Sequence, residues 1–268
     1  MRGNLTHFVL ALSLVSGCRG LPQPAAVPAA HQIAVEQLVF HSDFELPEDH
    51  RLVRELTAER EDLSHTLRLP SSDEVIDVYL FRDADAYGQY LSRHFPSVPS
   101  RRAFFLETDT RLAVYAHWSD RVAEDLRHEV AHGYLHAMVP GLPLWLDEGL
   151  AEFFEMPRGQ NGLNRPHLDL LADMAKLNGW RPDLARLEKL TDAGQMEQVH
   201  YAEAWAWVYF LLHSEPERRE LLTGYLSELR ARGVAEPLST RLATGRVTPE
   251  RALGEYLVEL NQGATIRR

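Results

Sequence analysis

The sequence has a single cysteine, Cys18, in 268 residues. No intramolecular disulfide can form, so stability has to come from packing. It also has no basic run interleaved with aromatics, and 39 acidic side chains against 28 basic ones give a formal charge of −11. A polyphosphate partner needs clustered cations, so nucleic-acid binding is not expected. Beyond the N-terminal stretch no apolar run is long enough to cross a bilayer as a helix, and neither an internal repeat nor a low-complexity tract stands out. What is present is ample apolar material: 45% of the residues are hydrophobic, enough for a sizeable core.

The position of the one cysteine is informative. Met1-Arg2 gives a short positive start, Phe8–Val15 is a short apolar run, and Ser16-Gly17 supplies small residues before Cys18. The run is too short for a mature membrane span and reads as a signal-peptide core. Val15-Ser16-Gly17-Cys18 resembles the bacterial lipobox, whose cysteine is acylated and becomes the mature N-terminus. The expectation is a signal peptide over 1–18 and a lipid anchor in the membrane through Cys18. By resemblance to bacterial lipoproteins, Arg19 in place of an aspartate favours the outer membrane. The Pro/Ala-rich stretch that follows predicts a tether over 19–34.

From there the apolar periodicity alternates. Glu36–Phe40, Val75–Phe81, Arg102–Glu107 and Arg111–His117 read as strands. Asp49–Leu67 and Ala84–Phe95 read as helices. After Ser119 apolar residues recur every four positions (Val122, Leu126, Val130, Tyr134, Met138), which predicts one long helix stopping before Pro140-Gly141. A second helix is expected over Leu144–Met156. Further helices are expected at Pro166–Leu177, Ala202–His213, Pro216–Arg232 and Pro249–Leu260, the last opened by Thr248-Pro249 as cap and first residue. The expected class is α+β: an α/β half over 35–158 and an α-helical half over 159–268, with the chemistry at their junction.

The chemistry lies in Leu126-Arg127-His128-Glu129-Val130-Ala131-His132, an H-E-x-x-H segment. Two histidines four apart differ by about 40° around a helix, so their imidazoles project together, one turn apart. That spacing lets two neutral nitrogens hold one zinc ion at about 2.0–2.1 Å. Glu129, on the adjoining strip, can hydrogen-bond a water at the metal without ligating it and accept its proton. The next helix carries Trp145-Leu146-Asp147-Glu148-Gly149-Leu150-Ala151-Glu152, and an antiparallel return brings Glu148 toward the histidine face. Glu152, one turn on, can hold an imidazole N–H.

At these residues the chain resembles the gluzincin clan, the thermolysin-like and zinc-aminopeptidase enzymes, and resembles still more the peptidase-MA-like families of bacterial lipoproteins. The match is specific over about 125–155 and looser over 35–213. It implies a thermolysin/aminopeptidase-like zincin core, a mixed sheet plus the H-E-x-x-H helix, completed by the helical half. It implies one zinc held by His128, His132 and Glu148, Glu129 as general base and Glu152 as the acid supporting the ligands. The stretch from His132 to Glu148 is shorter than in those enzymes and Glu152 fits their spacing, so Glu152 stands as the alternative ligand. The metzincin pattern is excluded, because it needs a glycine at Leu135 and a histidine at Met138. An oxyanion donor is expected from a later helix, with Tyr201 the first candidate and His200 the second. The resemblance further makes Arg111–His117 the edge strand that receives an extended substrate.

Blander readings apply to the neighbours: His136 as a helix residue near the site, Asp147 as a helix N-cap or first-turn acid, Trp145 as packing beneath the metal helix, and Arg101-Arg102 as a solvated pair at a strand entry. The resulting expectation is a zinc metallopeptidase acting on a peptide or protein substrate, with endopeptidase action favoured. The alternative is an envelope lipoprotein that uses the same fold for binding or scaffolding without turnover.

Overall fold

A computed structural model describes residues 26–96, 101–243 and 247–265. The expected signal peptide, Cys18 and the first part of the expected tether lie outside the described residues.

Strands β1 (His31–Val35), β2 (Leu38–Ser42), β3 (Ile76–Phe81), β4 (Ala103–Thr108) and β5 (Arg111–His117) form one sheet in the order β1-β2-β3-β5-β4. The inner pairs β2/β3 and β3/β5 run parallel, while β1/β2 and β4/β5 are antiparallel hairpins. The central strands are apolar along nearly their whole length because both faces are covered. Ile76, Val78 and Leu80 of β3 and Leu112, Val114 and Ala116 of β5 join the main core. The alternate residues Tyr79, Phe81, Ala113 and Tyr115 meet helix α2 (Ala84–His94) through Tyr87, Tyr90 and Leu91 on the other face.

Two expectations about the sheet are corrected. The tether does not run to residue 34: Pro28 is buried, Val27 packs on the aromatic cluster, and His31–Val35 is a strand. The chain then reverses at Glu36, whose φ of 53° makes a turn where a strand start was expected. Arg111–His117 forms as predicted but is not an edge. It is paired to β3 on one side and β4 on the other, so β4 carries the open edge.

The main core lies beneath α1 (Arg51–Leu67) and α3 (Val122–Met138) and continues into the helical half. There α4 (Leu144–Phe154), α5 (Arg165–Asn178), α8 (Pro216–Arg232) and α10 (Pro249–Thr265) surround α7 (Gln198–His213), which is buried from Ala202 to Leu212. Two short helices, α6 (Leu184–Leu187) and α9 (Leu238–Leu242), complete the described α-helices and are too short for periodicity to reveal. One hydrophobic cluster runs from Leu38 to Leu257, so the sheet half and the helical half share a core. The architecture is α+β, with a five-stranded mixed sheet and ten α-helices among the described residues.

Candidate metal centre

Three helices meet over an open cleft of about 690 Å³. Helix α3 presents His128, Glu129 and His132, α4 presents Glu148, and α7 presents Tyr201. Gly149 allows this meeting. A Cβ at that position would lie 2.6 Å from the Ala204 carbonyl oxygen, nearer than real Cβ contacts come. Without a side chain there, α4 can rest against α7, and the residues beside the contact, Glu148 and Tyr201, face one space.

His128 and His132 turn their Nε2 atoms toward each other, 3.2 Å apart, and Glu148 Oε2 stands 3.6 Å and 3.7 Å from them. Ligands on a tetrahedral zinc at about 2.0–2.1 Å are separated by about 3.4 Å, so this triangle has the dimensions of one face of such a shell. Two other sets of side chains come close enough to be considered: His132, His136 and Asp147, and His128, Glu152 and Glu155. Their contacts are of another kind. His132 Nδ1 to Asp147 Oδ1 is 2.9 Å, His136 Nε2 to Asp147 Oδ2 is 3.0 Å, and His128 Nδ1 to Glu155 Oε2 is 3.1 Å. These are hydrogen-bond distances, each from a ring nitrogen to a carboxylate oxygen that accepts its N–H. The two flanking sets therefore complete the central one: each imidazole donates its Nδ1–H to a carboxylate, which leaves Nε2 as the nitrogen that could hold a metal.

The supporting carboxylates differ from the one expected. Glu152 accepts from His167 Nε2 at 2.7 Å and is 3.4 Å from Asn164 Nδ2, so it engages an imidazole of α5 and not the pair on α3. Asp147 and Glu155 hold that pair instead, with Asn164 Nδ2 3.1 Å from the second oxygen of Glu155. Asp147 sits in the first turn of α4, where Pro143 and not Asp147 is the N-cap, and its side chain reaches α3 to meet His132 and His136. Glu155 lies seven residues after Glu148, two helical turns, and that spacing was a signal available in the sequence.

The ionisation of these groups follows from burial set against pairing. Burial opposes protonation of His128, but Glu148 and Glu155 outweigh it and hold the ring well above the ordinary imidazole range. His132 is raised in the same way, burial being overcome by Asp147 and then Glu148. In His136 burial is outweighed by Asp147 and Glu107, which accept from its two ring nitrogens at 3.0 Å and 2.6 Å, and its pKa is pushed up to about 9. Burial disfavours ionised Asp147, yet His132 and His136 hold it well below the usual carboxylate range. His136 is thus a cation clamping Asp147, two contacts beyond the expected bystander.

Of the two expected oxyanion donors, Tyr201 lines the cleft and His200 does not. His200 Nδ1 instead accepts the Glu197 N–H at 2.9 Å, capping the start of α7. Burial raises the Tyr201 pKa, and the charge of Glu148 raises it further, so the phenol keeps its proton beside the centre.

Residues 122–234 match a family model described as "Protein of unknown function (DUF1570)". The matched segment holds α3, α4 and α7, and with them every residue of the triangle as well as Glu129 and Tyr201. No curated protein matches the chain.

Proposed function

We propose that the protein is a zinc-dependent hydrolase, and specifically a peptidase of the gluzincin kind with a zincin-like core. What carries this reading is the combination of a metal-sized triangle, His128, His132 and Glu148, with a neighbouring carboxylate, Glu129, that has no hydrogen bond or ion pair among the described residues and lines an open cleft. A closed structural zinc site is usually built from cysteines and has no use for a spare carboxylate; a hydrolytic site needs both the carboxylate and the opening.

Zinc, when bound, supplies the Lewis acidity that lets water lose a proton near neutral pH and polarises a carbonyl. Glu129 takes that proton and passes it to the leaving amine. Tyr201 keeps its phenolic proton and donates a hydrogen bond to the oxygen on which negative charge develops. Asp147 and Glu155 fix the tautomers and ring orientations of His132 and His128. The open edge of β4 runs beside the centre, with the Phe105 ring 6.0 Å from the His132 ring, and offers its backbone to an extended peptide. Acylation at Cys18 would hold this catalytic unit on the outer membrane.

The test compares wild type with Glu129→Gln on casein and a peptide library, with zinc measured in both. The expected outcome is one zinc per chain in each protein and turnover in wild type alone. If both bind zinc and neither cleaves, the protein is a binding lipoprotein and the hydrolase reading is abandoned.

A further inference from the structure

The carboxylates and guanidiniums around the cleft pair off almost completely. Glu124 is met by Arg121, and Asp125 is held through both oxygens by Arg102 at 2.6–3.0 Å. Glu148 faces the Nε2 pair, Glu152 is on His167, and Glu155 is on His128 and Asn164. Two charges are left without a hydrogen bond or an ion pair among the described residues: Glu129 and Arg101. The first is the base proposed above. In a site where every other charge has a partner, the second calls for one.

Arg101 is exposed and lines the same cleft as His128, Glu129 and His132 of α3. Tyr87 of α2 lines the same cleft as both unpaired groups, and while burial raises its pKa, the charge of Glu129 adds to the rise and that of Arg101 opposes it. The same guanidinium also opposes the rise in the pKa of Tyr201 of α7, which lines this cleft too. Arg101 also lies two residues before the open edge strand β4 and four before Phe105, which flanks His132. At about 3.3 Å per residue that is at most about 13 Å along the path of an extended peptide. A guanidinium binds a carboxylate through two parallel N–H···O bonds, a fit that no neutral group reproduces.

We infer that Arg101 is the anion-recognising residue of the cleft, and that the substrate is a peptide presenting a carboxylate a few residues from the bond to be cut. This rests on the peptidase reading and adds a substrate class to it. The carboxylate has two sources, a free C-terminus or an acidic side chain, and Arg101 serves either. Arg102, the neighbouring cation, is committed to Asp125 and does not compete for the role.

The experiment reads binding without turnover, using the full-length, zinc-loaded chain carrying Glu129→Gln. Fluorescent hexapeptides are compared as a neutral amidated reference, the same peptide with a free C-terminus, and amidated versions with Glu replacing Gln at each position. At least one carboxylate peptide is expected to bind about tenfold more tightly than the reference, and the arm that does so names the source. Adding Arg101→Gln should bring the ratio to about one, Arg101→Lys should keep part of it, and Arg102→Gln should leave it in place. The inference is overturned if no peptide binds, if no carboxylate peptide is preferred, or if the preference survives Arg101→Gln. Lack of cleavage by wild type would sink the peptidase reading while leaving this binding ratio measurable.

Discussion

The Nδ1 of His132 lies 2.9 Å from Asp147 Oδ1, and this contact fixes which face of the imidazole is left for a metal. The carboxylate is itself clamped from behind by His136. Asp147→Asn should therefore retain the fold and lower zinc affinity by about 10–100-fold, as loss of a ligand-orienting carboxylate does. Competition with a chromophoric chelator measures this, and an unchanged affinity would mean that the contact is only a helix-packing feature.

Tyr201→Phe removes one hydrogen-bond donor and little else. Zinc content and substrate KM should hold while kcat falls by about 10²–10³. A kcat within a factor of two of wild type would remove Tyr201 from the chemistry.

Gly149→Ala introduces a Cβ where the Ala204 carbonyl oxygen lies at 2.6 Å. Forcing α4 off α7 should cost about 1–3 kcal/mol in urea unfolding. It should also weaken zinc binding, because Glu148 moves with the backbone beside it. Stability and affinity are expected to fall together.

Glu59 gives a pH prediction away from the cleft. It is buried on α1 with neither carboxyl oxygen hydrogen-bonded, and burial raises its pKa well above the ordinary range despite the nearby charge of Arg127. The folded chain therefore holds a proton that the unfolded chain releases near pH 4.3. Its contribution to stability is fully present below that pH and is lost as pH rises toward the folded-state pKa, at up to about 1.4 kcal/mol per pH unit. The stability of Glu59→Gln relative to wild type should rise as pH increases above about 5 and level off once wild-type Glu59 ionises in the folded chain. Parallel unfolding free energies for the two proteins across that range would refute the assignment.

The sequence by itself determined what short-range periodicity can carry. Arg111–His117 and Pro216–Arg232 form with the bounds the pattern predicts, and His128, Glu129 and His132 share one helix because a spacing of four is one turn. The direction of the next helix was also legible, since the Pro-Gly-Leu-Pro turn allows only a short return. Glu148 was expected on the histidine face, but which partner each of the other carboxylates of α4 meets was decided by tertiary structure. Their rotation about the helix axis is set by the α4–α7 approach at Gly149, which aims Asp147 and Glu148 at the imidazoles of α3 and leaves Glu152 to His167 on α5. The same holds for the sheet, where strand order places β4 and not β5 at the edge, and for Arg101 and Arg102, adjacent in sequence but divided by whether an Asp125 lies within reach. Periodicity says which residues share a face; only the packing of distant segments says what that face meets.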